Sequence, residues 1–442
     1  MEHLKRSCYQ PMLEQRSFKM NKTARKLIYC LLVLQLFTST AWCRGLAEAT
    51  PQSAGLSQQR LADITSLMQE HVEEKKLAGA VALVARRGKV AYLQSIGKQD
   101  IEAGIDMRSN TIFRIASMTK PITSVAVLVL YDDGLIRLDD PVSKYIPEFS
   151  GPTVFRQGQQ AVPAKQEITI KHLLTHTSGL TYQWDKQIGP LYKEAGITHG
   201  IAQDDSVLGE KMKKLARIPL LHHPGQKWTY GLSVDVLGRV VEVASGKTLE
   251  EFFKKRIFEP LKMKDTQFFI PDGKMPRLAT VYAPRSQGGL KRLDSEPIVE
   301  ESFVYCADHP YKGQRRYFSG GGGLCSTITD YLRFSQMLLN GGELDGKRVL
   351  KRKTVRLMTR DHVGQLKEGE GFGLGVSVTR NSEESGGMDC VGSFGWGGFW
   401  YTTFFVDPGK EMIGICMGQL HPNGGATLNG RFKRLVYQAV ID

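Results

Sequence analysis

Ser117 and Lys120 stand three residues apart at the head of an apolar run from Ile122 to Leu130. If the run is helical, the hydroxyl and the amine stack on one face. A serine hydroxyl is a weak nucleophile at neutral pH and needs a neighbouring base. A lysine can be that base only where its charge is disfavoured, and burial and the positive end of a helix dipole both push that way. Ser117-Met118-Thr119-Lys120 is therefore a candidate activated serine. Serine and lysine are common, so the pair needs support from the rest of the chain.

Acyl transfer to a serine also needs a proton shuttle, an oxyanion hole and a pocket. Tyr230 is the candidate shuttle, because it follows the loop Pro224 to Thr229 and precedes a helix starting near Ser233. A phenolate beside a lysine has a lowered pKa and can act as a base; the bland alternative is a packed tyrosine. The backbone N–H of Ser117, at a helix N-terminus, is a natural oxyanion donor. Gly395-Trp396-Gly397-Gly398-Phe399 lets a backbone approach a ligand closely, so Phe399 can supply a second donor, with a structural bulge as the alternative.

The elements that must position these groups are legible in outline. Leu61, Ile64, Leu67, Met68 and Val72 give Gln52 to Lys76 a helical stripe. Ala80 to Ala85 and Val90 to Ile96 flank Arg86-Arg87-Gly88-Lys89 as a hairpin. The helix after Ser117 ends at Gly134, a C′ glycine, with Pro121 in its first turn. Another helix runs from Ser233 to Gly246, and Thr248 to Glu251 is a capping box. Phe372 to Val378, Phe399 to Val406 and Met412 to Met417 read as strands, and Phe432, Leu435, Val436, Ala439 and Val440 as a final amphipathic helix. The expected class is α+β: one antiparallel sheet (about residues 50–112 and 318–442) flanked by terminal helices, with a mainly helical insertion (about 113–317).

The chain has 442 residues and a net charge of +14. The charge is scattered over clusters such as Lys351-Arg352-Lys353 and Lys254-Lys255-Arg256, a solvated basic surface and not a nucleic-acid footprint. Lys22, Arg25 and Lys26 precede the apolar run Leu27 to Phe37, which is short for a membrane span. Residues 1–49 are therefore expected to be an extension and signal peptide, cut after Ser39–Ala41 or at Ala47-Glu48-Ala49, and the mature protein to be periplasmic or extracellular with no stable span. A short membrane anchor is the alternative. Trp42 before Cys43 argues against a lipoprotein. Cys306, Cys325, Cys390 and Cys416 match no zinc spacing; they are free thiols or pairs that the sequence does not specify. No metal or cofactor is expected. His222-His223 lack further ligands, and no phosphate-loop or dinucleotide fingerprint is present.

Several runs together resemble the serine β-lactamase and penicillin-binding-protein superfamily, especially class C β-lactamases and family VIII carboxylesterases. Phe113 to Lys120 is similar to the nucleophile segment, and Ser-x-x-Lys is its signature. Ile168-Thr169-Ile170-Lys171-His172-Leu173-Leu174-Thr175-His176-Thr177-Ser178-Gly179-Leu180 resembles a characteristic run in which His176 is a packing element. Pro224-Gly225 before Tyr230, and Gly320 to Leu324, match further motifs. The resemblance implies a β-lactamase/transpeptidase-like fold, with Ser117, Lys120 and Tyr230 catalytic and Ser117 and Phe399 forming the oxyanion hole. Two positions depart from the lactamase pattern. Tyr230-Gly231-Leu232 lacks the usual asparagine, and Trp396-Gly397-Gly398 carries an indole where a lysine is usual. Leu232, Trp396, Gly397 and Gly398 are thus expected to line a pocket for a neutral ester, since an anionic substrate would lose its partners. The alternatives are a β-lactamase or D-alanyl-D-alanine carboxypeptidase, and a non-catalytic protein keeping the fold. Oligomeric state is left open.

Overall fold

The computed structural model describes residues 46–442, apart from 294, 382 and 384–386. Lys22, Arg25, Lys26, the run Leu27 to Phe37 and Cys43 lie outside the described residues. The folded unit begins at Leu46, and Ala49 N–H already donates to Val90 O at 2.9 Å.

Helix α1 (Gln58–Glu73) starts where the Ser57 hydroxyl accepts from Arg60 N–H, and it buries Leu61, Ile64, Leu67 and Met68. Strands β1 (Gly79–Arg86) and β2 (Lys89–Asp100) turn at Arg87 and Gly88, both at positive φ. Every residue of β1 is buried. Short β3 (Ile105–Asp106) and β4 (Phe113–Arg114) lead to helix α2 (Thr119–Asp132), whose residues from Thr119 to Leu130 are all buried. An all-round apolar helix belongs inside the protein. It stops before Gly134, at φ 78°. Helix α3 (Ser233–Ser245) closes on left-handed Gly246, and the Thr248–Glu251 capping box opens the next turn.

β5 (Cys325–Ser326) pairs with β4 and so ties the return of the chain to the nucleophile segment. Helices α4 (Ile328–Leu339) and α5 (Arg352–Met358) follow, then β6 (Gly371–Phe372), β7 (Ser377–Val378), β8 (Phe394–Gly398), β9 (Thr402–Asp407), β10 (Met412–Met417) and α6 (Leu428–Gln438). The sheet has eight strands in the order β6-β7-β8-β9-β10-β1-β2-β3. β1 and β10 join the two ends of the fold, with Leu83 opposite Ile415. α1 and α6 pack together against the sheet, while α4 contacts β10, β9 and β1. This is the expected α+β, β-lactamase/transpeptidase-like arrangement.

Two strands differ from expectation. The aromatic run Phe399 to Val406 is not one strand: β8 ends at Gly398, Phe399 to Tyr401 form a turn with Tyr401 N–H donating to Gly398 O at 3.1 Å, and β9 begins at Thr402. Strand-forming side chains disguise this hairpin, because the residue at positive φ is Tyr401 and not a glycine. Phe372 to Val378 likewise folds back on itself around Gly375, at φ 90°. Among the described residues Cys306, Cys325, Cys390 and Cys416 are free.

Asp330, in the first turn of α4, accepts from Asp265 N–H (2.7 Å) and the Thr266 hydroxyl (2.9 Å). Burial nonetheless lifts its carboxyl to about 6. A carboxyl raised on folding binds its proton more tightly in the native state, so stability falls as pH rises from the ordinary aspartate value to about 6. Asp330→Asn is expected to remove that slope, a change of about 3 kcal/mol. Melting curves between pH 4 and 7 check this, and an unchanged slope contradicts it.

Candidate active site

Ser117 sits on a single 3₁₀ turn, Ala116 to Met118, directly before α2. Ala116 holds φ at 41°, a strained value for a residue with a side chain. The turn is fastened from several sides. Ile115 N–H donates to Leu324 O (3.0 Å) and Met118 N–H to Ile115 O (2.9 Å). The Tyr331 hydroxyl donates to Met118 O (2.9 Å), and Leu324 N–H to the Thr119 hydroxyl (3.1 Å).

Lys120 is 1% exposed. Its Nζ donates to Ser117 Oγ (3.1 Å), Tyr182 Oη (2.9 Å) and Gly321 O (2.7 Å). Nζ therefore has three hydrogen-bond partners. The Tyr230 hydroxyl donates to Ser117 Oγ at 2.6 Å, and Lys120 Nζ lies 4.7 Å from the centre of the Tyr230 ring. The serine oxygen thus meets both groups at once, as proton transfer to or from it requires.

The run from His176 to Tyr182 is a rail that places both tyrosines. Thr229 N–H donates to His176 O (2.8 Å), Gly225 N–H to Thr177 O (2.7 Å) and Leu232 N–H to Thr181 O (3.3 Å). Gly231 permits this approach: a Cβ there would lie 2.5 Å from Leu180 O. His176 is fully buried, and its ring packs 5.0 Å from Tyr230 and 5.5 Å from Phe372. Burial holds its imidazole well below its ordinary value. It is a neutral packing element.

Two contributors were not singled out from the sequence. Tyr182 is buried, and burial together with Tyr230 pushes its phenol well above the usual value, so it stays a neutral hydroxyl beside Lys120. Asp235 on α3 accepts from the Ser319 hydroxyl and from Gly321 N–H (3.2 Å). It thereby fixes the loop whose Gly321 carbonyl accepts from Lys120. Burial lifts its carboxyl, while the Ser319 hydrogen bond and the Lys120 charge pull it back. The signal in the sequence was adjacency: Tyr182 ends the rail, and Asp235 lies five residues beyond Tyr230.

Ser117 opens into a cavity of about 650 Å³ lined by Tyr182, Trp184, Tyr230, Phe303, Trp396 and Phe399. Gly397 and Gly398 also line it. A volume of that size suits a small molecule. Trp396 leans on Tyr230 with ring centres 5.6 Å apart, and Trp184 lies nearly parallel to Tyr230 at 6.3 Å. His199 stacks on Phe303 at 4.0 Å, and burial lowers it to about 3, so it adds no charge. Among the described lining residues the cationic side chain is Lys433, ion-paired with Asp389.

Leu232 corrects an expectation. It is 1% exposed, belongs to the main hydrophobic core and does not line the cavity. It is the residue from which α3 starts, and its apolar side chain is buried in the core there. Among the described residues, no cluster of three or more His, Cys, Asp or Glu is placed to hold a metal, and His222 instead pairs with the Thr229 hydroxyl at 2.9 Å.

A beta-lactamase family profile matches residues 64–438. The chain belongs to the beta-lactamase family. Within it, the chain is 34% identical over 355 residues to esterase EstB of Burkholderia gladioli, covering 78% of this chain and 87% of that one. It is 28% identical over 383 residues to a lovastatin esterase of Penicillium rubens, covering 78% and 90%. Among solved structures it superposes on EstCE1, a hydrolase with promiscuous acyltransferase activity, with a TM-score of 0.75 and 28% identity over 87% of this chain and 99% of that one. This member of the beta-lactamase family is a serine hydrolase with a small-molecule substrate.

Proposed function

We propose that this family member hydrolyses carboxylic esters through an acyl-enzyme on Ser117. The observation that carries the reading is the serine oxygen held by Lys120 and Tyr230 at the floor of a largely aromatic cavity whose one cationic lining side chain among the described residues, Lys433, is already paired with Asp389. With Lys120 reacting as the neutral amine, Ser117 Oγ attacks the ester carbonyl as its proton passes to Lys120 Nζ, which lies 3.1 Å away. The backbone N–H groups of Ser117 and Phe399 hold the resulting oxyanion. When the tetrahedral intermediate collapses, the bond to the alcohol breaks and Tyr230 protonates the departing alkoxide. Water then attacks the acyl carbonyl and gives a proton to the same pair, and when the bond from the acyl carbon to Ser117 Oγ breaks the pair returns that proton to Ser117 and the acid leaves. Each step is balanced by groups already in the site.

Ester selectivity rests on Trp396. An indole offers a substrate carboxylate no counter-charge, whereas an apolar acyl or alcohol group packs against it. The esterase relatives support this reading. With Leu232 in the core, its departure from the lactamase pattern acts through packing behind Tyr230, not through contact with substrate. We place the reaction outside the cytoplasm, on the basic segment and apolar run of residues 22–37; among the described residues no helix is long and apolar enough to cross a membrane.

Short-chain p-nitrophenyl esters and nitrocefin, assayed side by side, test the proposal. Ester turnover is expected to exceed nitrocefin turnover by about 10²-fold or more, the loss that unpaired polar recognition brings. A fluorophosphonate probe is expected to label Ser117. Rapid nitrocefin turnover would make the protein a lactamase, and absence of labelling would make it a non-catalytic family member.

A further inference from the structure

The far end of α2 carries a second feature. Tyr131 lies about 20 Å from Ser117 along the helix. Beside it a cavity of about 290 Å³ is lined by Tyr131, Lys353, Thr354, Arg356, Leu357 and Arg360. Lys353 and Arg356 lie one turn apart on α5, and Arg360 follows two residues beyond the helix end at Met358.

These cations are exposed and line one concavity together. Among the described residues none of the three has a hydrogen-bond or ion-pair partner. The acids at the end of α2 are already engaged. Asp132 accepts from Lys351 N–H (2.8 Å) and the Thr354 hydroxyl (2.6 Å), and Asp133 pairs with Arg256 at 2.8 Å. No carboxylate lines the cavity. Asp132 anchors the start of α5, three like charges line the concavity, and of these Lys353 and Arg356 repel one another across a single helical turn.

We propose that this cavity binds a phosphate group, as a free phosphorylated metabolite or a phospholipid headgroup presents it. A phosphate monoester offers nearly two negative charges and three acceptor oxygens. Two guanidinium forks and an ammonium can meet those oxygens, with the Tyr131 hydroxyl as a further donor. The cavity receives a single group, which suits one phosphate and not an extended polyanion. The site is separate from the serine centre, so the inference stands whether or not the ester reading does.

Calorimetric titration of the full chain with inorganic phosphate, against chloride at matched ionic strength, tests it. Saturable binding is expected for phosphate and not for chloride. Arg356→Gln combined with Arg360→Gln is expected to weaken phosphate binding at least about tenfold while p-nitrophenyl ester turnover in phosphate-free buffer stays unchanged. Lys353→Gln, at an exposed position, is expected to weaken binding less and serves where the double variant does not fold. Co-sedimentation with vesicles containing phosphatidic acid then separates the sources: binding that the double variant loses assigns a headgroup, and phosphate binding without vesicle binding assigns a soluble ligand. Equal responses to phosphate and chloride, or variants that bind phosphate as the wild type does, overturn the proposal.

Discussion

Replacing Lys120 by alanine is expected to lower kcat for ester hydrolysis by about 10³–10⁴-fold, the scale on which single members of a coupled nucleophile–base unit act. The substitution removes the donor at 3.1 Å from Ser117 Oγ and the charge 4.7 Å from the Tyr230 ring together. It also leaves Gly321 O and Tyr182 Oη without their Lys120 donor. Tyr230→Phe is expected to cost about as much, and the double variant scarcely more than either single one, because the two residues move one proton between them. KM is expected to change little, since the aromatic walls of the cavity are untouched. Pre-steady-state assays of both single variants and the double variant decide the matter. Effects that multiply would show that lysine and tyrosine act independently, and the shared-proton step would then be wrong.

That unit was legible because its chemistry is compressed into short segments. Ser117 and Lys120 share one turn, and the apolar helix behind them could be read from composition alone. Tyr230 was visible through its position before α3. The residues around Lys120 were harder to see. Tyr182 and Asp235 reach it only through tertiary packing, one by a rail of backbone hydrogen bonds and the other through the 319–321 loop. No local period or spacing encodes either contact. Leu232 shows the converse. Its place in a motif suggested a wall of the pocket, but a residue next to a catalytic tyrosine at a helix entry can point to either side, and burial of an apolar side chain settles which. The hairpin at Phe399 to Tyr401 was hidden for a similar reason: strand propensity reports what fits a pleated surface and is blind to where the chain turns back.

In the proposed mechanism the turn matters because it carries Phe399, and Gly398 limits how close the turn comes to the nucleophile turn. A Cβ at Gly398 would lie 2.4 Å from Ile115 O and 2.2 Å from the Thr402 hydroxyl oxygen. The Thr402 side chain can rotate away. Ile115 O cannot, because it is backbone of the nucleophile turn and already accepts from Met118 N–H. Gly398→Ala must therefore push the end of β8 away from Ser117. Overpacking of this kind typically costs about 1–3 kcal/mol, so the variant is expected to fold with a lowered Tm. The larger effect falls on catalysis. Displacing one of two oxyanion donors costs about 10²–10³ in kcat, with KM for a small ester changed much less. Gly397→Ala is the control on the same strand, since a Cβ there meets its nearest atom, Thr402 O, at an ordinary 3.5 Å. It is expected to keep most of its activity. Equal activity in the two variants would mean that the gap between β8 and the nucleophile turn does not set the oxyanion hole, and Phe399 would lose its assigned role.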